Sequence, residues 1–147
     1  MTSALVQLAE DVKTALAGHT FTQEFNIERV LAPVLKLEEL TAIQLIVRPS
    51  TKTGEDFTRK TQKKELTVEV AVVARLNSSE NTDTDPMLDF MDEIETFFVG
   101  DGDSIDPWRS SAGMQVASYR VIPYDEDVLY SRNQFTGLLS LTFDQYT

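Results

Sequence analysis

The chain opens with an amphipathic pattern. Leu5, Leu8, Ala9, Val12, Ala15 and Leu16 recur at three- and four-residue steps, which predicts a helix within Met1–Ala17. Ser3 stands at its N-cap position, and Gly18 stands where a helix-ending glycine belongs. The period then changes to two. Phe25, Ile27 and Arg29 alternate with Glu24, Asn26, Glu28 and Val30, predicting a strand over about 23–31 that Pro33 ends. Leu35–Leu40 reads as a connecting turn whose leucines pack on the sheet. Ala42–Pro49 reads as a second strand. Its run Leu45, Ile46, Val47 suits burial on both faces, and Pro49 stops it.

Residues 50–64 are polar, and the expectation is a long hairpin loop turning at Gly54. Glu65–Leu76 is the most regular strand: Leu66, Val68, Val70, Val72, Ala74 and Leu76 face one way, and Thr67, Glu69, Ala71, Val73 and Arg75 face the other. After a polar linker at 77–83, Asp85 and Pro86 predict the start of a second helix over about 86–99. Met87, Leu88, Met91, Ile94, Phe97 and Phe98 form its apolar stripe. Asp89, Asp92, Glu93 and Glu95 cover the opposite side, and Gly100 closes it. A loop over 100–112, a strand over 113–123, an acidic turn at 124–133 and a last strand over 134–146 complete the chain.

The order is helix, strand, strand, strand, helix, strand, strand. Runs of strands without strict alternation predict an α+β fold. Its sheet is mainly antiparallel, of about five strands, with two amphipathic helices on one face. No internal repeat or linker divides the 147 residues, so one domain is expected.

Composition removes several classes of function. With no cysteine there is no disulfide, thiolate metal site or cysteine nucleophile. His19 is the only histidine, which leaves little for a histidine base or metal site. There is no apolar run of transmembrane length and no secretory signal in the first residues, so the chain reads as soluble, intracellular or virion-borne. No nucleotide, metalloprotease or serine-elbow motif occurs. These readings predict no enzyme activity and no cofactor. Asp101, Asp103 and Asp106 lie close in one loop and are the one candidate cation site, without the spacing of an EF-hand.

Charge adds a second pattern. The net charge is −11, which argues against tight duplex DNA binding. The segment 48–64 nevertheless holds six of the thirteen basic residues and two of the twenty-four acidic ones, a local charge of +4 against −15 for the remainder. Arg48, Lys52, Arg59, Lys60, Lys63 and Lys64, with Phe57 among them, are therefore candidate interface residues. A basic projection on an acidic body favours head-to-tail contacts or steers an acidic partner. Trp108, in a predicted loop, either anchors an interface or packs back on its own domain.

The order of elements and several phrases carry a resemblance. They are FNIERVLAPVLKLEEL, a strand ending VRPS, LTVEVAVVARL after a charged hairpin, DPMLDFMDEIETFF, and the closing pair GMQVASYRVIPY and FTGLLSLTFDQY. Together the chain resembles the tail terminator and tail-completion, or neck, proteins of tailed bacteriophages. The resemblance implies a structural virion protein, assembled in the bacterial host cytoplasm as a homohexameric ring. Such a ring caps the tail tube and joins it to the head connector. Its partners would be further copies of itself, the tail tube protein and the head-connector or neck protein, with DNA passing through without tight binding and no membrane involved. The alternative is a monomeric acidic binding or regulatory module, imitating DNA or engaging a basic partner, with no catalysis.

Overall fold

The computed structural model describes residues 3–30, 43–56, 62–76, 80–125, 129 and 133–146. The elements are α1 (Ala4–Gly18), β1 (Phe25–Arg29), β2 (Ile43–Asp56), β3 (Gln62–Arg75), α2 (Asn81–Val99), β4 (Val116–Ile122) and β5 (Gln134–Tyr146). They make one five-stranded sheet in the order β1-β2-β3-β5-β4. β1 runs parallel to β2, and the other three pairings are antiparallel. The architecture is the expected α+β one, with the expected order of elements.

One strand shows why the sheet has a covered face. Along β3, Leu66, Val68, Val70 and Val72 are buried, and Glu65, Thr67, Glu69 and Ala71 between them are not. A period of two places the first set on one face. Pairing carries that face sideways to Leu45 and Val47 on β2 and to Phe143, Leu141 and Leu139 on β5. Both helices lie on it. Leu8, Ala9, Val12 and Leu16 of α1 and Met87, Phe90, Met91, Ile94 and Phe98 of α2 join those strand residues in a single core. Phe90, Phe98, Phe135 and Phe143 are its largest fully buried members. Each contributes about 1.5–3 kcal/mol by leaving water. On the far face Ile46 and Val73 are also buried, so the 45–47 run is enclosed on both sides.

Two boundaries differ from expectation. α2 begins at Asn81, ahead of Pro86, with Glu80 as its N-cap. The Glu80 carbonyl accepts the N–H of Thr84 at 3.1 Å and its hydroxyl at 3.3 Å, closing a turn before the proline. Pro86 is the sixth residue of α2: it has no N–H to donate and its ring crowds the carbonyl four residues back, a cost that falls on the helix's opening turns. Second, much of the expected loop 50–64 is strand. β2 continues to Asp56 and β3 begins at Gln62, with Asp56 opposite Gln62. Pro49 does not end β2. Pro49 pairs with Val68 and Thr51 with Thr67, so Ser50 is an extra residue that carries the strand past a position without a donor. The leucines of 35–40 lie outside the described residues.

Two glycines occupy positions where a side chain would collide. Gly100 caps α2 at φ +83°, its N–H bonded to the Thr96 carbonyl at 2.8 Å, and a Cβ there would sit 2.7 Å from the Ile105 carbonyl oxygen. Gly137, inside β5, lies under α2, where a Cβ would meet Met91 Sδ at 2.7 Å and the Pro123 carbonyl oxygen at 3.0 Å.

Candidate interaction surfaces

The extra residue at Ser50 changes which side of the sheet the basic side chains take. Before it, the odd-numbered residues of β2 face the helices; after it, the even-numbered ones do, because Lys52 pairs with Leu66 and Gly54 with Lys64. Lys52 and Lys64 therefore share the helix-side face, as diagonal neighbours across the two strands. Arg48 and Lys63 lie on the far face. The expected basic cluster is thus divided between two surfaces.

The far-face pair is engaged within the chain. Arg48 lies 3.5 Å from Glu69, which also accepts the Ser50 hydroxyl at 3.1 Å. Lys63 Nζ stands 3.7 Å from Glu65 and 3.8 Å from Asp144, between two carboxylates that face each other across the ladder. It offsets a repulsion that like charges directly opposite would otherwise produce. Beside them, Thr67 and Thr142 share a hydroxyl hydrogen bond of 3.0 Å. Lys52 and Lys64, by contrast, make no ion pair among the described residues, and Lys52 is exposed. Phe57, Arg59 and Lys60 lie outside the described residues.

Trp108 packs on its own domain. Its ring meets Phe98 edge-on at 5.3 Å and Phe143 at 6.0 Å, and its backbone N–H donates to the Phe98 carbonyl at 3.1 Å. It closes the core where α2 ends over β5.

The acidic loop after α2 is built as a turn around one carboxylate. Asp101 accepts the N–H groups of Asp103, Ser104 and Ile105 at 2.9, 2.9 and 2.8 Å and the Ser104 hydroxyl at 2.9 Å. The Ile105 N–H first, then the Asp103 N–H and the Ser104 hydroxyl, hold its carboxyl down to about 2, from an ordinary value of 3.8. Among the described residues no group of three or more His, Cys, Asp or Glu side chains is arranged to hold a metal. A second carboxylate, Asp11, fastens α1 to the segment before β4. Burial would raise its pKa, but hydrogen bonds from the Ser111 hydroxyl at 2.6 Å, the Gln7 amide at 2.9 Å and the Ser111 N–H at 3.0 Å outweigh that and lower it.

A feature the sequence pattern did not single out lies on the outer side of the helices. The residues after α1 turn back over α2 and leave a cleft of about 490 Å³. His19, Phe21, Phe97 and Ile105 line it together with the acids Asp89, Asp92 and Glu93 of α2. His19 stacks 4.5 Å from Phe21 and 4.7 Å from Phe97, so the lone histidine belongs to an aromatic wall. Glu93 holds the wall in place, accepting the Thr22 N–H at 3.2 Å and the Thr22 hydroxyl. Asp89 and Asp92 are exposed and have no hydrogen bond or ion pair among the described residues. Asp89 and Asp92 keep the solvent-facing side of α2, and Glu93 is tied to Thr22. The clue available in the sequence was the aromatic pair Phe97 and Phe98, of which only Phe98 is fully buried. No family model and no curated protein matches the chain.

Proposed function

We propose that this chain is a structural assembly protein, a tail-completion or tail-terminator component that forms a ring at the head–tail junction of a tailed bacteriophage. The observation that carries this reading is the architecture itself. Both helices cover one face of a five-stranded sheet, and the long β2–β3 hairpin continues beyond β1, whose partner residues on β2 end at Val47. That is the element order on which the resemblance rests, folded as a sheet with both helices packed on it. The hairpin also carries basic residues on a body of opposite sign, which suits repeated contacts between identical copies. A net charge of −11 suits a channel through which DNA moves without adhering.

The test is structural. Purified chain, alone and with tail tubes, is examined by light scattering and negative-stain microscopy. The expected result is a closed ring, with a hole wide enough for duplex DNA, seated on tube ends. Tubes that stay uncapped at saturating protein overturn the reading. The acidic, aromatic-walled cleft favours the second reading, a monomeric module for a basic partner. A chain that stays monomeric on tubes while binding a basic partner would establish it.

A further inference from the structure

We infer that the cleft between His19–Phe21 and α2 receives the helix-side lysines of the β2–β3 hairpin, Lys52 and Lys64, from a second copy of the chain. This contact rests on the assembly reading and gives it a specific pair of surfaces.

The cleft has the chemistry of a cation receptor. Aromatic faces attract an ammonium group through the ring quadrupole. Here Phe21, Phe97 and His19 supply aromatic faces, and the exposed Asp89 and Asp92 line the same cleft. Those two side chains are three residues apart on α2, on adjacent turns, about 5–6 Å apart at Cβ. Asp89 and Glu93 are four apart, and like charges at that spacing destabilise a helix. A cation placed among them relieves the repulsion.

The hairpin presents the complement. Lys52 and Lys64 are diagonal neighbours on one face, about 7–8 Å apart at the backbone, and their long stems allow both to reach two carboxylates. Neither is paired among the described residues, unlike Arg48 and Lys63 on the other face. The same contact in turn on each copy is heterologous, so it closes into a ring or propagates as a filament. An isologous dimer would instead pair each cleft with the other copy's hairpin across one twofold axis and stop at two copies.

The experiment compares sedimentation of the wild-type chain with two variants, Lys52→Glu with Lys64→Glu, and Asp89→Lys with Asp92→Lys. Lys52, Asp89 and Asp92 are exposed and Lys64 is half-buried, and circular dichroism checks that each variant is folded. Each variant should weaken self-association about tenfold or more, and added salt should weaken the wild type in the same direction. Mixing the two variants should restore assembly, because the intact cleft of one meets the intact hairpin of the other and the reversed cleft meets the reversed hairpin. Joining all four substitutions in one chain should restore assembly. Variants that self-associate like wild type overturn the contact. So does a mixture that assembles no better than its parts, or a wild-type chain that stays monomeric throughout. If those same variants still cap tail tubes, the assembly reading stands and only this contact is removed.

Discussion

The β2–β3 hairpin differs along its length. In the body of the protein, between Leu45 and Val72, its helix-side residues are apolar and shielded from solvent by α1 and α2. Beyond Leu66 the same strands stay paired, but the same face carries Lys52, Gly54 and Lys64, and the far face carries Thr53, Lys63 and Glu65. The first half is held by burial. The second is held by the backbone ladder and by β5, whose Gln145 and Tyr146 pair with Lys64 and Lys63. Pairing can therefore outlast the hydrophobic pattern when a third strand extends with it, which leaves charged side chains on an ordered surface.

The largest effect should come from the point where the two halves meet. Phe143 pairs with Leu66 and Val116 and packs under the Trp108 ring. Phe143→Ala is expected to cost about 3–5 kcal/mol in urea unfolding. A loss below about 1 kcal/mol would mean that the burial-held half stops short of it.

Gly137→Ala probes the body directly. Its Cβ would push on Met91 and on the Pro123 carbonyl, and about 1–3 kcal/mol is expected. Met91→Ala in the same chain should recover part of that cost, since only the Met91 side chain can yield. A double-mutant cycle should then show a coupling of about 0.5 kcal/mol or more.

Within the ladder-held half the effects should be small. Arg48→Ala removes a half-exposed ion pair with Glu69 and is expected to cost about 1 kcal/mol or less in chemical denaturation. Lys52→Glu and Lys64→Glu should each change monomer stability by about 0.5 kcal/mol or less, which makes them clean probes of contacts between copies.

The smallest effect concerns the loop that follows α2. Asp101 titrates at about 2 in the folded chain, below its ordinary 3.8. A lowered carboxylate pKa means that the unfolded chain binds the proton more readily. The contribution is complete above the ordinary value and disappears as pH falls through about 2. An NMR titration should place the Asp101 midpoint near 2, and Asp101→Ala should abolish that part of the acid dependence. A midpoint near 3.8 would show that the turn around this carboxylate is not held in solution.

Much of the architecture was legible because each element repeats one period long enough to be read. β3 alternates from Glu65 onward, α1 and α2 each carry an apolar stripe, and Gly18 and Gly100 mark helix ends. Residues 51–56 and 62–64 were not legible as strand. Polar side chains on both faces show no hydrophobic period, whatever the backbone does. The start of α2 was displaced for a similar reason: the local signal of Asp85 and Pro86 gave way to a turn that Glu80 closes. The cleft was hidden because His19 and Phe21 stand far from Phe97 in the chain, and neither stretch has a motif.

By itself, the amino-acid sequence determined the element order, the core face of β3 from Leu66 onward, the net acidity and the basic character of the hairpin. These follow from local periodicity and composition, which need no knowledge of neighbours. Only the tertiary structure decided that β1 runs parallel to β2, that Phe21 and Phe97 share a wall, and which lysines point which way. The last turns on one extra residue. A single unpaired position at Ser50 reverses the facing of every residue after it, and so puts Lys52 beside Lys64 instead of beside Arg48. Register is a property of two strands together, and one strand's sequence does not contain it.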